Sequence, residues 1–295
     1  MLNPNYFHVD VFAEKPYSGN GLAVFMHCEH WSADFMQTLT QEMQQFESIF
    51  LSQIQTEKSY RAHARIFTVE EELPFAGHPI LGATAILHRT HAKDQMHCAW
   101  TITVNEREIA VMSEHHGDHF VCQMNQGKAN LQSPLKHADV NAILQKLGLQ
   151  QSDLISELAP QVISTGLDYL ILPIHSSAID KVVFHGKDLE QELAKVKAKF
   201  VFIFDVQGRE IRTWDNAGKV EDIATGSAAG PAAAYLYAHG LAASGQVVHI
   251  QQGRFRNRPS ILTVAQNADA EILVSGKVWG ISSGRLEAMP QSPCN

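Results

Sequence analysis

Cysteine is scarce: Cys28, Cys98, Cys122 and Cys294 are the only four in 295 residues, and no two form a Cys-x-x-Cys pair. That spacing argues against a disulfide framework and predicts free thiols in a reducing compartment. Long apolar runs are missing too. Nothing approaches the roughly 20 residues of a spanning helix, and residues 1–10 show no cationic region ahead of an apolar one, so the expectation is a cytoplasmic protein with no membrane partner. No long basic run occurs. With 23 Lys and Arg against 31 Asp and Glu the formal charge is −8, which argues against nucleic acid as a partner. No glycine-rich phosphate or dinucleotide fingerprint occurs. The stretch Gly226-Ser227-Ala228-Ala229-Gly230 is not a nucleophile elbow, because the serine directly follows the first glycine.

What is present is a hydrophobic fraction of 45%, enough for one large core or two modest ones. The most telling stretch is 221–236. An acidic pair, Glu221-Asp222, leads through a Thr225-Gly226-Ser227 corner into a run of Ala, Leu and Tyr. Alanine is the best helix former, so 228–237 reads as a helix, with Pro231 placed in its first turn and Thr225 or Ser227 as N-cap. A helix without a polar face has to be buried. Its N-terminus then offers unpaired N–H groups to an anion.

Along the chain, residues 6–12 and 22–27 read as strands. Residues 31–46 have helical spacing with Ser32 as N-cap, 48–52 and 64–67 are short strands, and 70–78 is a loop. A small-residue helix follows at 79–87, then strands at 100–104, 109–113 and 120–124, and a polar segment at 125–134 that reads as a linker. The second half repeats this order, with a strand ending at 170–172, a polar-faced helix over 188–199, a strand at 200–204, Arg212-Thr213-Trp214 matching Arg65-Ile66-Phe67, and a hairpin from 247–251 and 259–264. Gly77-His78 and Gly226-Ser227, 149 residues apart, occupy the same corner. Such a series points to an internal duplication. The fold class expected is α/β (α+β), with two similar halves, each a curled, mostly antiparallel sheet or barrel around a central buried helix. Residues 1–126 form the first half, 127–278 the second, and 279–295 return to the first. A ligand cleft between the two glycine corners is the natural site.

Four patches resemble a known family. They are Phe7-His8-Val9-Asp10-Val11-Phe12 with Gly19-Asn20 and Ala23-Val24-Phe25; Glu47-Ser48 before Phe50-Leu51; Arg65-Ile66-Phe67-Thr68 with Glu72-Leu73-Pro74-Phe75-Ala76-Gly77-His78-Pro79; and Glu221-Asp222 with Ala224-Thr225-Gly226-Ser227-Ala228-Ala229-Gly230. Together they resemble the PhzF-like phenazine-biosynthesis isomerases. Arg258-Pro259-Ser260 after Gly253 adds a weaker match. The resemblance implies the diaminopimelate-epimerase-like fold, an isomerase without metal or organic cofactor, a small acidic substrate and a homodimer. The sequence departs from the family at Gln44-Gln45-Phe46, where an Asn and then a Ser are usual, at Val69 and at Gly21, where Pro is common.

On this resemblance Glu47 is the acid/base that moves a proton, since a carboxyl buried in an apolar cleft can both take and return one. His78 is its hydrogen-bonding or proton partner, and Asp222 orients the substrate or holds a proton. Gly77, Thr225, Gly226 and Ser227 bind substrate, with Ser227 and nearby N–H groups set for a carboxylate. Taken alone, Glu47 could be a local cap, His78 a helix-end residue and Ser227 a plain N-cap. Two rivals stand. One is a racemase or epimerase on the same fold, which the resemblance ties to a cysteine pair at the two corners; here those corners carry His78 and Ser227. The other is a non-catalytic small-molecule binding protein. His115, His116 and His119 look metal-like but read as a solvated turn with no metal, and Arg254, Arg256 and Arg258 read as surface.

Overall fold

Alternation of apolar and polar residues builds a sheet whose inner face surrounds one helix, and the chain does this twice. The computed structural model describes residues 5–185 and 189–287. Two compact units divide the chain, residues 1–125 with 275–295 and residues 126–274.

In the first unit, β1 (Asn5–Val11) pairs antiparallel with β2 (Asn20–Phe25). Helix α1 (Ala33–Met43), whose first turn is capped by the Ser32 hydroxyl accepting from the Phe35 N–H, crosses over to β3 (Glu47–Gln55), which lies parallel to β2. Met36 and Leu39 of α1 pack on Phe25, Phe50 and Phe67. Strand β4 (Arg61–Thr68) is antiparallel to β3, with the short β5 (Glu72–Leu73) on its other side. Helix α2 (Gly77–His91) then leads to β6 (His97–Val104), parallel to β4, and antiparallel β7 (Arg107–His115) and β8 (His119–Lys128) follow. The strand Glu271–Arg285 lies between β8 and β1 and closes an eight-stranded barrel.

Helix α2 is buried on every side from Gly77 to His88. Ile80, Leu81, Ile86 and Leu87 are 2% exposed or less, each contributing about 1.5–3 kcal/mol by burial. Gly82 is where α2 meets the sheet. A Cβ there would lie 2.4 Å from Leu22 Cδ2 and 3.1–3.2 Å from the Val9 and Val11 methyls. Gly82→Ala is therefore expected to cost about 1–3 kcal/mol through overpacking, read as a lower denaturation midpoint at unchanged m-value.

The second unit carries β9 (Asn130–Leu131), α3 (Asn141–Lys146), β10 (Gln161–Ser164), β11 (Asp168–Ile174), α4 (Glu190–Lys195), β12 (Phe200–Asp205), β13 (Glu210–Arg212), α5 (Gly226–Ala238), β14 (Val248–Gln252), β15 (Ser260–Gln266) and most of the first half of β16 (Glu271–Arg285). Its pairing repeats that of the first unit. β10 and β11 are antiparallel, β11 and β12 parallel, β12 and β13 antiparallel, β13 and β14 parallel, and β14 and β15 antiparallel. α5 is buried from Gly226 to Leu236. This is the diaminopimelate-epimerase-like α/β architecture expected from the sequence.

The duplication extends to side chains. Arg65 makes a two-pronged ion pair with Glu72 at 2.7 and 2.6 Å and lies over the Phe67 ring. Arg212 does the same with Glu221 at 2.7 and 3.0 Å, over the Trp214 ring.

Several local expectations are corrected. Residues 125–134 are no linker: β8 runs to Lys128, β9 follows, and Gln126 is buried, donating to the Gly226 carbonyl. The loop at 70–78 contains β5, and α2 starts at Gly77. α5 starts at Gly226, so Pro231 lies beyond the first turn, inside the helix. Thr225 occupies the N-cap position without a side-chain cap bond, and Ser227 lies within the helix. The helix expected over 188–199 is the shorter α4, and its proposed start at Asp188 lies outside the described residues.

Candidate active site

Glu47 opens β3, where it pairs with Leu22 and Thr68, and His78 is the second residue of α2. The fold brings the two together: His78 Nδ1 lies 3.0 Å from Glu47 Oε2. Asn20, the first residue of β2, places its amide 3.4 Å from the same ring nitrogen. It can do so because Gly19, at φ 68°, turns the chain where a Cβ would stand 2.4 Å from the Val11 carbonyl oxygen. Glu47 and His78 are 5% and 3% exposed.

Burial pushes the His78 imidazole down to about 3, so the ring is neutral near neutrality, with one N–H and one lone pair. Nδ1 faces the carboxyl. Nε2 is buried and has no hydrogen-bond partner among the described residues, a costly state that a ligand group would relieve.

The lowered value also sets a pH dependence. Unfolded His78 takes up a proton near its ordinary 6.5, while the folded residue does so only near 3. Its stabilising contribution is therefore complete above about pH 6.5 and is lost as the pH falls through that window, at up to about 1.4 kcal/mol per pH unit. His88, His91 and His239 are lowered by burial in the same direction. The stability profile of His78→Gln should accordingly fall less steeply with acid than the wild type, without becoming flat, in denaturant titrations between pH 7 and 4.

The corner of the second unit is built differently. Asp222 accepts from the Thr225 hydroxyl at 2.5 Å and from the Ala224 N–H at 3.4 Å. Gln252, at the end of β14, accepts from the Thr225 N–H at 2.8 Å and donates to the Asp222 carbonyl and the Thr225 hydroxyl at 2.9 and 3.0 Å. Thr225 thus has its side chain engaged inside the corner. The acidic pair read from the sequence is divided: Glu221 turns to Arg212, whose Nη1 also donates to the Ile179 and Val182 carbonyls. Ser227, the second residue of α5, shares a 2.8 Å hydrogen bond with the Tyr169 hydroxyl of β11. Neither α2 nor α5 has a side-chain cap, so the first N–H groups, at Gly77 and His78 and at Gly226 and Ser227, have no acceptor within their helix.

Sequence reasoning missed Tyr169 and Gln252 and gave Asn20 no role. His78 and Ser227 lie where the small-residue helices begin, Glu47 opens β3, and Asp222 precedes α5. The His115, His116 and His119 group lies at the β7–β8 turn: His115 stacks on Phe120, His116 on His119, and His119 on Trp279. Arg254 is paired with Glu210 and Asp180.

Comparison with known proteins identifies the family. The family model for phenazine biosynthesis-like proteins matches residues 9–284. An uncharacterized isomerase of Pasteurella multocida is 31% identical over the full length of both chains. The trans-2,3-dihydro-3-hydroxyanthranilate isomerase of Pseudomonas aeruginosa is also 31% identical, over 95% of this chain and 98% of its own. The solved structure of a Predicted Epimerase from the same organism superposes with a TM-score of 0.91 at 43% identity, covering 97% of this chain and 99% of that one. A probable proline racemase from Agrobacterium radiobacter, at 10% identity and a TM-score of 0.63 over 98% of this chain and 94% of its own, shares the fold alone. From the doubled frame and these matches it follows that the chain belongs to the phenazine biosynthesis-like protein family, PhzC-PhzF, and is an isomerase.

Proposed function

We propose that this isomerase moves a proton between two carbons of a small unsaturated carboxylic acid, without metal or organic cofactor. The observation that carries the proposal is the buried Glu47–His78 pair at 3.0 Å, with His78 Nε2 left over for a ligand. Glu47 as carboxylate takes a proton from carbon, and the electron pair moves into the conjugated acid. The same carboxyl then delivers the proton to another carbon, so atoms and charge balance with no added reagent. His78 holds the carboxyl and polarises the substrate as a neutral ring. Asp222 orients a polar group of the substrate, while Ser227 with the N–H group of Gly226 binds its carboxylate.

The relative named for trans-2,3-dihydro-3-hydroxyanthranilate supports an unsaturated cyclic acid as the class. Phe46, immediately before the acid, leaves the compound itself open. The proposal also takes the protein as a cytoplasmic homodimer, in keeping with the family resemblance; no helix of the described residues is long and apolar enough to cross a membrane. Light scattering would measure the oligomeric state.

The test is incubation with trans-2,3-dihydro-3-hydroxyanthranilate and a panel of unsaturated ring acids, followed by proton NMR and mass spectrometry. The expected product is an isomer of unchanged mass with one hydrogen relocated. Products of altered mass would contradict the proposal, and binding without conversion would favour a binding protein.

A two-thiol racemase is disfavoured by position. Cys28, Cys98 and Cys122 are buried, their thiols raised by desolvation, and the helix starts carry His78 and Ser227. Iodoacetamide under native conditions is expected to leave turnover unchanged.

A further inference from the structure

We infer that Tyr169 is a positioning residue that turns the Ser227 hydroxyl into a committed donor for a substrate carboxylate; this rests on the carboxylate-binding role proposed above for Ser227. The two hydroxyl oxygens are 2.8 Å apart, in residues 3% and 7% exposed. A phenol is far more acidic than an alkyl hydroxyl, whose oxygen is the better acceptor, so Tyr169 donates and Ser227 accepts. Ser227 then keeps its own hydrogen for a third group.

Ser227 differs from four helical threonines among the described residues. Thr38, Thr40, Thr84 and Thr90 each donate to the carbonyl four residues earlier, the ordinary outlet for a hydroxyl inside a helix. Ser227 lies in the first turn, where the residue four places back, Ile223, precedes the helix. A Ser227 oxygen with an undirected hydrogen would present lone pairs to an anion for part of the time. The Tyr169 proton occupies one lone pair and so directs the remaining donor outward.

The two units supply the polar partner from different strands. Ser227 and His78 are the second residues of equivalent helices. In the first unit the polar partner comes from the start of β3, as Glu47, which pairs with Leu22 of parallel β2. In the second unit the corresponding pair is Tyr169 with Phe200, so the polar group has moved one strand over and a phenyl ring stands where the acid would be. The Tyr169 ring stacks on Phe200, with centroids 5.5 Å apart, and this fixes the phenol's direction.

The test measures binding of benzoate and of benzamide by ligand-observed NMR to wild type, Tyr169→Phe, Ser227→Ala, the double variant and Tyr235→Phe. Tyr235 is a control: its hydroxyl donates to the Ala159 carbonyl from farther along α5. Benzoate affinity is expected to fall about tenfold in Tyr169→Phe and in Ser227→Ala, with the double variant no weaker than Ser227→Ala. Benzamide binding and the behaviour of Tyr235→Phe should match wild type, which a general loosening of the unit would not allow. Wild-type benzoate binding by Tyr169→Phe alongside weakened binding by Ser227→Ala overturns the inference and leaves the carboxylate role standing. Unchanged affinity in Ser227→Ala, or no benzoate binding to wild type at millimolar concentration, overturns that role and the inference with it. An additive double variant shows that Tyr169 acts independently of Ser227 and likewise overturns it.

Discussion

Glu47→Gln is expected to lower isomerase turnover by about 10²–10⁴ while the protein stays folded. Gln keeps the length and shape of Glu, so the start of β3, between Leu22 and Thr68, retains its packing. What disappears is the carboxyl proposed to take and return the proton, while burial holds the facing His78 ring neutral. His78→Gln should lower turnover as well, by removing the group 3.0 Å from the carboxyl. The double variant should be no slower than Glu47→Gln alone, since residues that act as one unit lose their effect together. Steady-state kinetics on a converted acid, with far-UV circular dichroism of each variant, checks all three. Additive losses would mean that His78 acts apart from Glu47.

Arg212→Met is expected to destabilise the protein by about 3–5 kcal/mol, whereas Arg65→Met costs about 0–1 kcal/mol. The two arginines hold equivalent places in the duplication and make the same two-pronged pair. Burial separates them. The Arg212 and Glu221 side chains are 8% and 10% exposed, against 39% and 42% for Arg65 and Glu72. Replacing Arg212 leaves Glu221 desolvated without its counter-ion, strips a donor from the Ile179 and Val182 carbonyls, and removes the guanidinium that lies over the Trp214 and Phe255 rings. Water already solvates much of Arg65 and Glu72, so little is lost there. Arg212→Met with Glu221→Leu should recover much of the loss, because apolar groups of similar volume need no counter-ion. Urea midpoints of the wild type and the three variants decide the matter. The loss also reaches the candidate site, since the Asp222 N–H is bonded to the Thr213 carbonyl beside Arg212.

Much of the frame was legible because its signals are local. Alternation gave most strands, small apolar residues gave α2 and α5, and Gly77-His78 and Gly226-Ser227 marked the paired corners. The misreadings came where distant groups satisfied polar atoms. Residues 125–134 look like a linker by composition, yet Gln126 is paid for by the Gly226 carbonyl, one hundred residues away. Thr225 looks like a helix cap, but the Asp222 carboxylate and Gln252 engage its hydroxyl first. Tyr169 reads as one more apolar residue in a strand, and nothing near it in sequence signals that its hydroxyl meets Ser227, 58 residues on. Glu47 and His78 were found through patches resembling the family; their 3.0 Å approach is a product of parallel β2 and β3 meeting the start of α2.

The central claim is that Glu47 itself carries the proton, and hydrogen–deuterium exchange into a bound acid measures it most directly. In D₂O the wild type should introduce deuterium at a carbon of a ring acid that it converts. Glu47→Gln should bind the same acid, seen as line broadening, and introduce none. Exchange by Glu47→Gln at the wild-type rate would contradict the account.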